Sequence, residues 1–109
     1  MRSLSIAVVS FALAASGSAS AMVADAQQGE KIARRWCADC HIVANDQKQA
    51  SADVAPFADA ARHKTNAELA AFLTDPQPKM PDMSLTREEI GDLVAYMRSL
   101  APEGPAKGQ

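Results

Sequence analysis

The sequence has no large excess of charge of either sign. Eleven Lys and Arg against thirteen Asp and Glu leave a formal net charge of -2. That excludes the strongly basic surface with which nucleic acid or anionic lipid is gripped. It has no apolar run long enough for a membrane span, which needs roughly 20 residues; the longest stretch, Leu4 to Ala15, falls well short. It has no internal repeat and no convincing strand. It has only two cysteines, Cys37 and Cys40, and a disulfide between them would close a loop too small to stabilise a domain much.

The beginning of the chain has the order of a secretory leader. Met1-Arg2-Ser3 carries one positive charge, the apolar run follows, and small residues fill Ser16 to Ala21. This pattern predicts a signal peptide over residues 1–21. Cleavage after Ala21 or after Ala26 satisfies the small-x-small rule, at Ala19-Ser20-Ala21 or Ala24-Asp25-Ala26. Export implies a periplasmic protein with no membrane span once the leader is gone. About 85 residues remain, enough for one domain. A domain of that size buries only about 60% of its unfolded surface and needs a further source of core.

The rest reads as three or four helices, with a domain over residues 27–101 and a flexible tail over 102–109. The tail combines Pro102, Gly104, Pro105 and Gly108. One helix is expected from about Gln28 to Cys40, with Ile32, Ala33, Trp36 and Cys37 at helical spacing. A short one starts near Phe57. Thr65-Asn66-Ala67-Glu68 is a capping box that opens a helix carrying Leu69, Phe72 and Leu73, stopped by Asp75-Pro76. Thr86-Arg87-Glu88-Glu89 repeats the box, with Leu85 and Ile90 spaced as a hydrophobic staple. Ile90, Leu93, Val94, Met97 and Leu100 then form an amphipathic stripe. The fold class is all-α. Long loops at Asn45–Pro56 and Asp75–Met83 are unusual in so small a domain, unless they wrap something that is not protein.

Cys37-Ala38-Asp39-Cys40-His41 names that something. A CxxCH run is a haem-attachment signature: two thiols one turn apart reach two vinyl groups on one side of a porphyrin, and the adjacent His faces the iron. A thioredoxin-like pair would need a βαβ context, and a zinc site would need four ligands. The expected cofactor is therefore one haem c, bound through Cys37 and Cys40, with His41 as proximal iron ligand. A distal ligand must come from His63, Met80, Met83 or Met97, or the position stays open. Met97 belongs to the apolar stripe of the last helix, and His63 to a charged turn. Met80 stands in Pro76-Gln77-Pro78-Lys79-Met80-Pro81, where three prolines restrict the backbone and can hold a thioether in place. Met80 is the preferred distal ligand and Met83 the alternative.

On these residues the chain resembles the class I cytochromes c, in particular the small bacterial periplasmic monohaem type. Gly29-Glu30-Lys31 with the CxxCH run, Pro56-Phe57, and Lys79-Met80-Pro81 leading into Ile90–Leu100 carry the likeness. The resemblance implies a cytochrome c-like domain wrapped around its haem. It implies that the first and last helices cross at Gly29 beside Tyr96. It also implies that the Pro56 carbonyl accepts the outer N–H of the ligating imidazole. The chain departs from the family where an aromatic is usual four residues after the glycine: Ala33 stands there, and Trp36 is the candidate to compensate.

With both axial positions filled, the expected function is single-electron transfer, not catalysis, by a monomer that meets redox partners such as a dehydrogenase, a cytochrome complex or a terminal oxidase. Lys31, Arg34, Arg35 and Lys79 are candidates for a positive rim at the docking face. The alternatives are a dedicated cytochrome subunit of a dehydrogenase complex, and a haem-based sensor or small-molecule binder with a labile distal ligand. A single CxxCH excludes a two-haem peroxidase.

Overall fold

The structure, a computed structural model, describes residues 8–10, 12, 23–76 and 80–105. Most of the expected leader, residues 77–79 of the proline-rich loop and the end of the tail at 106–109 lie outside them. Among the described residues there are four α-helices and no strand, as an all-α fold requires. None of these helices is long and apolar enough to cross a membrane.

Helix α1 spans Ala26–Ile32. It begins there because Asp25, in extended backbone, accepts the amides of Gln27 and Gln28 at 2.9 and 3.3 Å on its carboxylate, satisfying two donors that have no partner inside the helix. The helix expected to run on evenly to Cys40 does not. At Ala33–Cys37 the coil widens into a π turn, in which Ala38 N–H reaches back five residues to the Ala33 carbonyl at 3.0 Å. Ala33 and Cys37 are both buried. A spacing of four puts two residues on one face at either pitch, so periodicity could not distinguish the two coils. Widened turns of this kind tend to occur at functional sites.

Helix α2 is Phe57–His63 and α3 is Asn66–Thr74. Helix α4, Arg87–Leu100, is the longest. Both capping boxes form in full. Thr65 and Thr86 accept the Glu68 and Glu89 amides at 3.1 Å, and each glutamate returns to its threonine's amide at 3.0 Å. Those hydrogen bonds hold the Glu68 and Glu89 carboxyls below the usual glutamate range. Leu85 and Ile90 both pack on the core, as the staple predicts.

The stripe of α4 is the centre of the molecule. Leu93 is fully buried, and Ile90, Val94, Tyr96 and Met97 are buried beside it, with Ala33, Val43, Phe57, Ala61 and Leu69 supplied by the other elements. Helix α1 crosses α4 at Gly29 as the resemblance implies. A Cβ there would lie 2.0 Å from the Asp92 carbonyl oxygen and 2.8 Å from the Tyr96 Cβ. Ala33 fills the position after the crossing. Trp36 does not compensate for the missing aromatic, because it is 53% exposed and no part of this core.

Arg98 ties three elements together. Its guanidinium donates to the carbonyls of Ala61 (2.6 Å), Lys64 (2.7 Å) and Ala101 (3.1 Å) and to the Asn66 amide oxygen (2.8 Å). It thereby satisfies carbonyls at the end of α2 that the helix itself cannot. Residues 102–105, the start of the expected tail, turn back toward the body. Gly104 N–H donates to Ala101, and Glu103 lies 3.5 Å from Arg62.

Candidate functional site

The CxxCH segment closes into a turn. The amides of Cys40 and His41 both donate to the Cys37 carbonyl, at 3.2 and 2.9 Å, so the two cysteines stand one turn apart. Cys37 is buried and Cys40 exposed. Burial, helped by the neighbouring Cys40, pushes the Cys37 thiol up to about 11.

His41 is half-buried and clamped from two directions. Its Nδ1 lies 3.1 Å from the Ala55 carbonyl, and its ring meets that of Phe57 at a centroid distance of 5.5 Å and a tilt of 55°. A carbonyl can only accept, so Nδ1 carries a proton, and in the neutral ring Nε2 keeps its lone pair. This is how a metal-binding imidazole is oriented and made more basic. The acceptor is Ala55, not Pro56 as the resemblance implied. Pro56 stands at the N-cap of α2, where its carbonyl accepts the Ala60 amide at 3.0 Å.

The loop after the motif is organised by Gln47, whose part the sequence did not disclose. Its Nε2 lies 2.9 Å from the Ala38 carbonyl and 2.8 Å from that of His41, and its Oε1 accepts the Val43 amide at 2.9 Å. From α4, the Tyr96 hydroxyl donates to the buried Val43 carbonyl at 2.6 Å. The Phe57 amide donates to Ile42 at 2.9 Å. Loop, motif and α2 thus hold His41 as one unit.

A cavity of about 460 Å³ opens beside this unit, within the roughly 300–1,000 Å³ common for bound small molecules and cofactors. Its wall includes Cys37, Cys40 and His41 together with Met80, Pro81, Met83 and Met97. Phe57, Leu69, Phe72 and Leu73 make the rest largely apolar. At Ser84 the chain adopts a left-handed φ of 51°, between Met83 on the cavity and Leu85 on the core. All three methionines weighed as distal ligands therefore border one space. His63 does not; its Nδ1 lies 2.8 Å from the Asp59 carbonyl within α2. A larger hollow of about 680 Å³ between Ala24, α3 and α4 is lined by no Cys, His or Met.

The donor set fits a covalently attached haem: paired thiols, an oriented imidazole, thioethers and an apolar wall on one cavity. At its mouth stand Trp36, Val54 and Lys64, and the Arg35 guanidinium lies 4.9 Å from the Trp36 ring centroid. The positive rim is smaller than the sequence suggested. Arg34 is engaged by Asp46 at 3.1 Å and by Glu30 at 3.6 Å, and Arg34 holds the Asp46 carboxyl below its usual range. Lys79 lies outside the described residues.

Residues 24–97 match the family described as cytochrome c oxidase, cbb3-type, subunit III. The chain is 54% identical over 90 residues to cytochrome c-552 of Bradyrhizobium diazoefficiens, an alignment covering 81% of this chain and 86% of that protein. It is 35% identical over 88 residues to the cytochrome bc1 complex cytochrome c subunit of Corynebacterium diphtheriae, covering 78% of this chain but 30% of that one. No solved structure matches significantly.

Proposed function

The chain belongs to the small bacterial monohaem class I cytochromes c, and from that membership we propose a periplasmic electron carrier whose iron is held by His41 and Met80. With the family come covalently bound haem c and electron transfer in place of catalysis. Cys37 and Cys40, the only cysteines, provide the thioether bonds. The observation that carries the axial reading is the fixed tautomer of His41 on a cavity that also takes in Met80.

Haem iron supplies the one-electron couple; the chain's own residues set its conditions. The Ala55 carbonyl orients the imidazole and raises its basicity. Phe57, Leu69, Phe72 and Leu73 exclude water. A thioether from Met80 favours the ferrous state and raises the potential. Pro81, next to Met80 and on the same cavity wall, restricts the Met80 backbone. Export through the leader over residues 1–21 places the protein among periplasmic redox partners.

Two substitutions test the distal ligand. Met80→Ala should abolish the red absorption band of ferric iron–sulfur ligation, while Met83→Ala should keep it; the reverse result transfers the role to Met83. A ferrous protein that binds carbon monoxide readily at neutral pH would point to the sensor reading. A complex-bound subunit is the second reading. It is supported by the likeness to a bc1 complex subunit and by Trp36 and Val54, 53% and 44% exposed at the cavity mouth. Comigration with one membrane complex in sizing experiments would favour it over a free shuttle.

A further inference from the structure

The sequence offers two places to remove the leader, and the fold distinguishes them. We infer that export processing cuts after Ala21, so that the mature protein begins at Met22 and keeps Ala24–Ala26 as part of its domain. The inference rests on the leader reading proposed above.

Asp25 has three structural tasks. Its carboxylate caps α1 through the Gln27 and Gln28 amides. Its carbonyl accepts the Gly29 amide at 3.0 Å, opening the helix. Its own amide donates to Asp92 Oδ1 at 2.7 Å. Asp92 is 7% exposed and the only buried charged residue among those described. A buried carboxylate needs such donors. Next to Asp25, Ala26 packs on the core, and Ala24 lies over α4, its Cβ 4.0 Å from where a Cβ on Gly91 would be. Residues 24–26 are thus a strap across the α1–α4 crossing.

Cutting after Ala26 removes the whole strap. It deprives α1 of its cap and Asp92 of the Asp25 amide, and it creates a cationic α-amino group at Gln27. A positive charge there opposes the helix dipole. Cutting after Ala21 leaves every one of these contacts in place.

Intact-mass measurement tests this on the full chain, expressed with its own leader in a bacterium that exports it and attaches haem. The expected mass is that of Met22–Gln109 plus one haem; a chain beginning at Gln27 overturns the inference. An uncut chain bearing haem also overturns it, while leaving the haem reading intact. A Met22 start without haem upholds the processing site and sinks the proposed attachment. Ala21→Phe, which puts a bulky residue next to the cut, should make uncut precursor accumulate; normal processing of that variant would count against the site. A holoprotein engineered to begin at Gln27 should melt roughly 5–15 °C lower than the Met22 form. Equal melting would show that the strap contributes nothing.

Discussion

Gly29→Ala sets two physical effects in opposition within one substitution. Gly29 lies inside α1, where alanine is the better helix former by about 1 kcal/mol; propensity alone predicts a more stable protein. Packing predicts the opposite. The new Cβ would meet the Asp92 carbonyl oxygen at 2.0 Å, its carbon at 2.5 Å and the Tyr96 Cβ at 2.8 Å. An ordinary carbon–oxygen contact is about 3.3 Å, so α1 and α4 must part by roughly 1.3 Å. Two of the three atoms are backbone and have no rotamer to yield. Overpacking costs about 1–3 kcal/mol, and a rigid neighbour places this site at the upper end or beyond. A gap of about 1 Å also forfeits up to half of each dispersion contact across the crossing, including those of buried Ala33, Leu93 and Tyr96. The expected net loss is about 2–3 kcal/mol, a fall in Tm of roughly 10–20 °C for a domain this size. Thermal and urea unfolding of the holoprotein, followed by far-ultraviolet circular dichroism, measures it. A Gly29→Ala protein as stable as its parent would refute the close approach of the two backbones.

Tyr96→Phe should cost about 1–3 kcal/mol in urea titrations, because it leaves the carbonyl of fully buried Val43 without its 2.6 Å donor; an unchanged midpoint would mean that water reaches it. Gln47→Ala should destabilise by about 2 kcal/mol and speed hydrogen exchange at the Val43 amide, which loses its acceptor; unchanged exchange there would deny Gln47 its organising part. On the acid side, Glu68, Glu89 and Asp46 have lowered folded-state values. The unfolded chain therefore binds more protons, and the stability these groups contribute is present above about 4.5 and is lost as pH falls further. The Thr65→Ala, Thr86→Ala pair should flatten that limb of a Tm-against-pH profile. On the alkaline side, burial raises Tyr96. Its contribution is complete below about 10 and is lost as pH rises; Tyr96→Phe should flatten that limb, and a slope unaltered by it would contradict the assignment.

Short-range chemistry was readable in the chain itself. The capping boxes at Thr65 and Thr86 need residues three apart, and both form. The apolar stripe of α4 repeats with helical period and is buried as expected, with Met97 in the core and also on the cavity. Cys37, Cys40 and His41 are joined by one turn, so their spacing alone announced a haem. What the sequence determined by itself is therefore the set of helices and the turn that joins Cys37, Cys40 and His41, because each depends on neighbours within a turn or two.

Tertiary structure decided the rest. The partner of His41 is the Ala55 carbonyl, while that of Pro56 opens α2, an arrangement visible only when the loop has folded. Arg34 left the expected rim because the loop brings Asp46 to it. The wide turn at Ala33–Cys37 preserves the same burial pattern as an α-helix and so left no trace in the periodicity. Asp25 with Asp92, and Tyr96 with Val43, bond across 67 and 53 residues. Such pairings carry no local signal, since either partner could serve many donors or acceptors until α1, α4 and the loop are packed together.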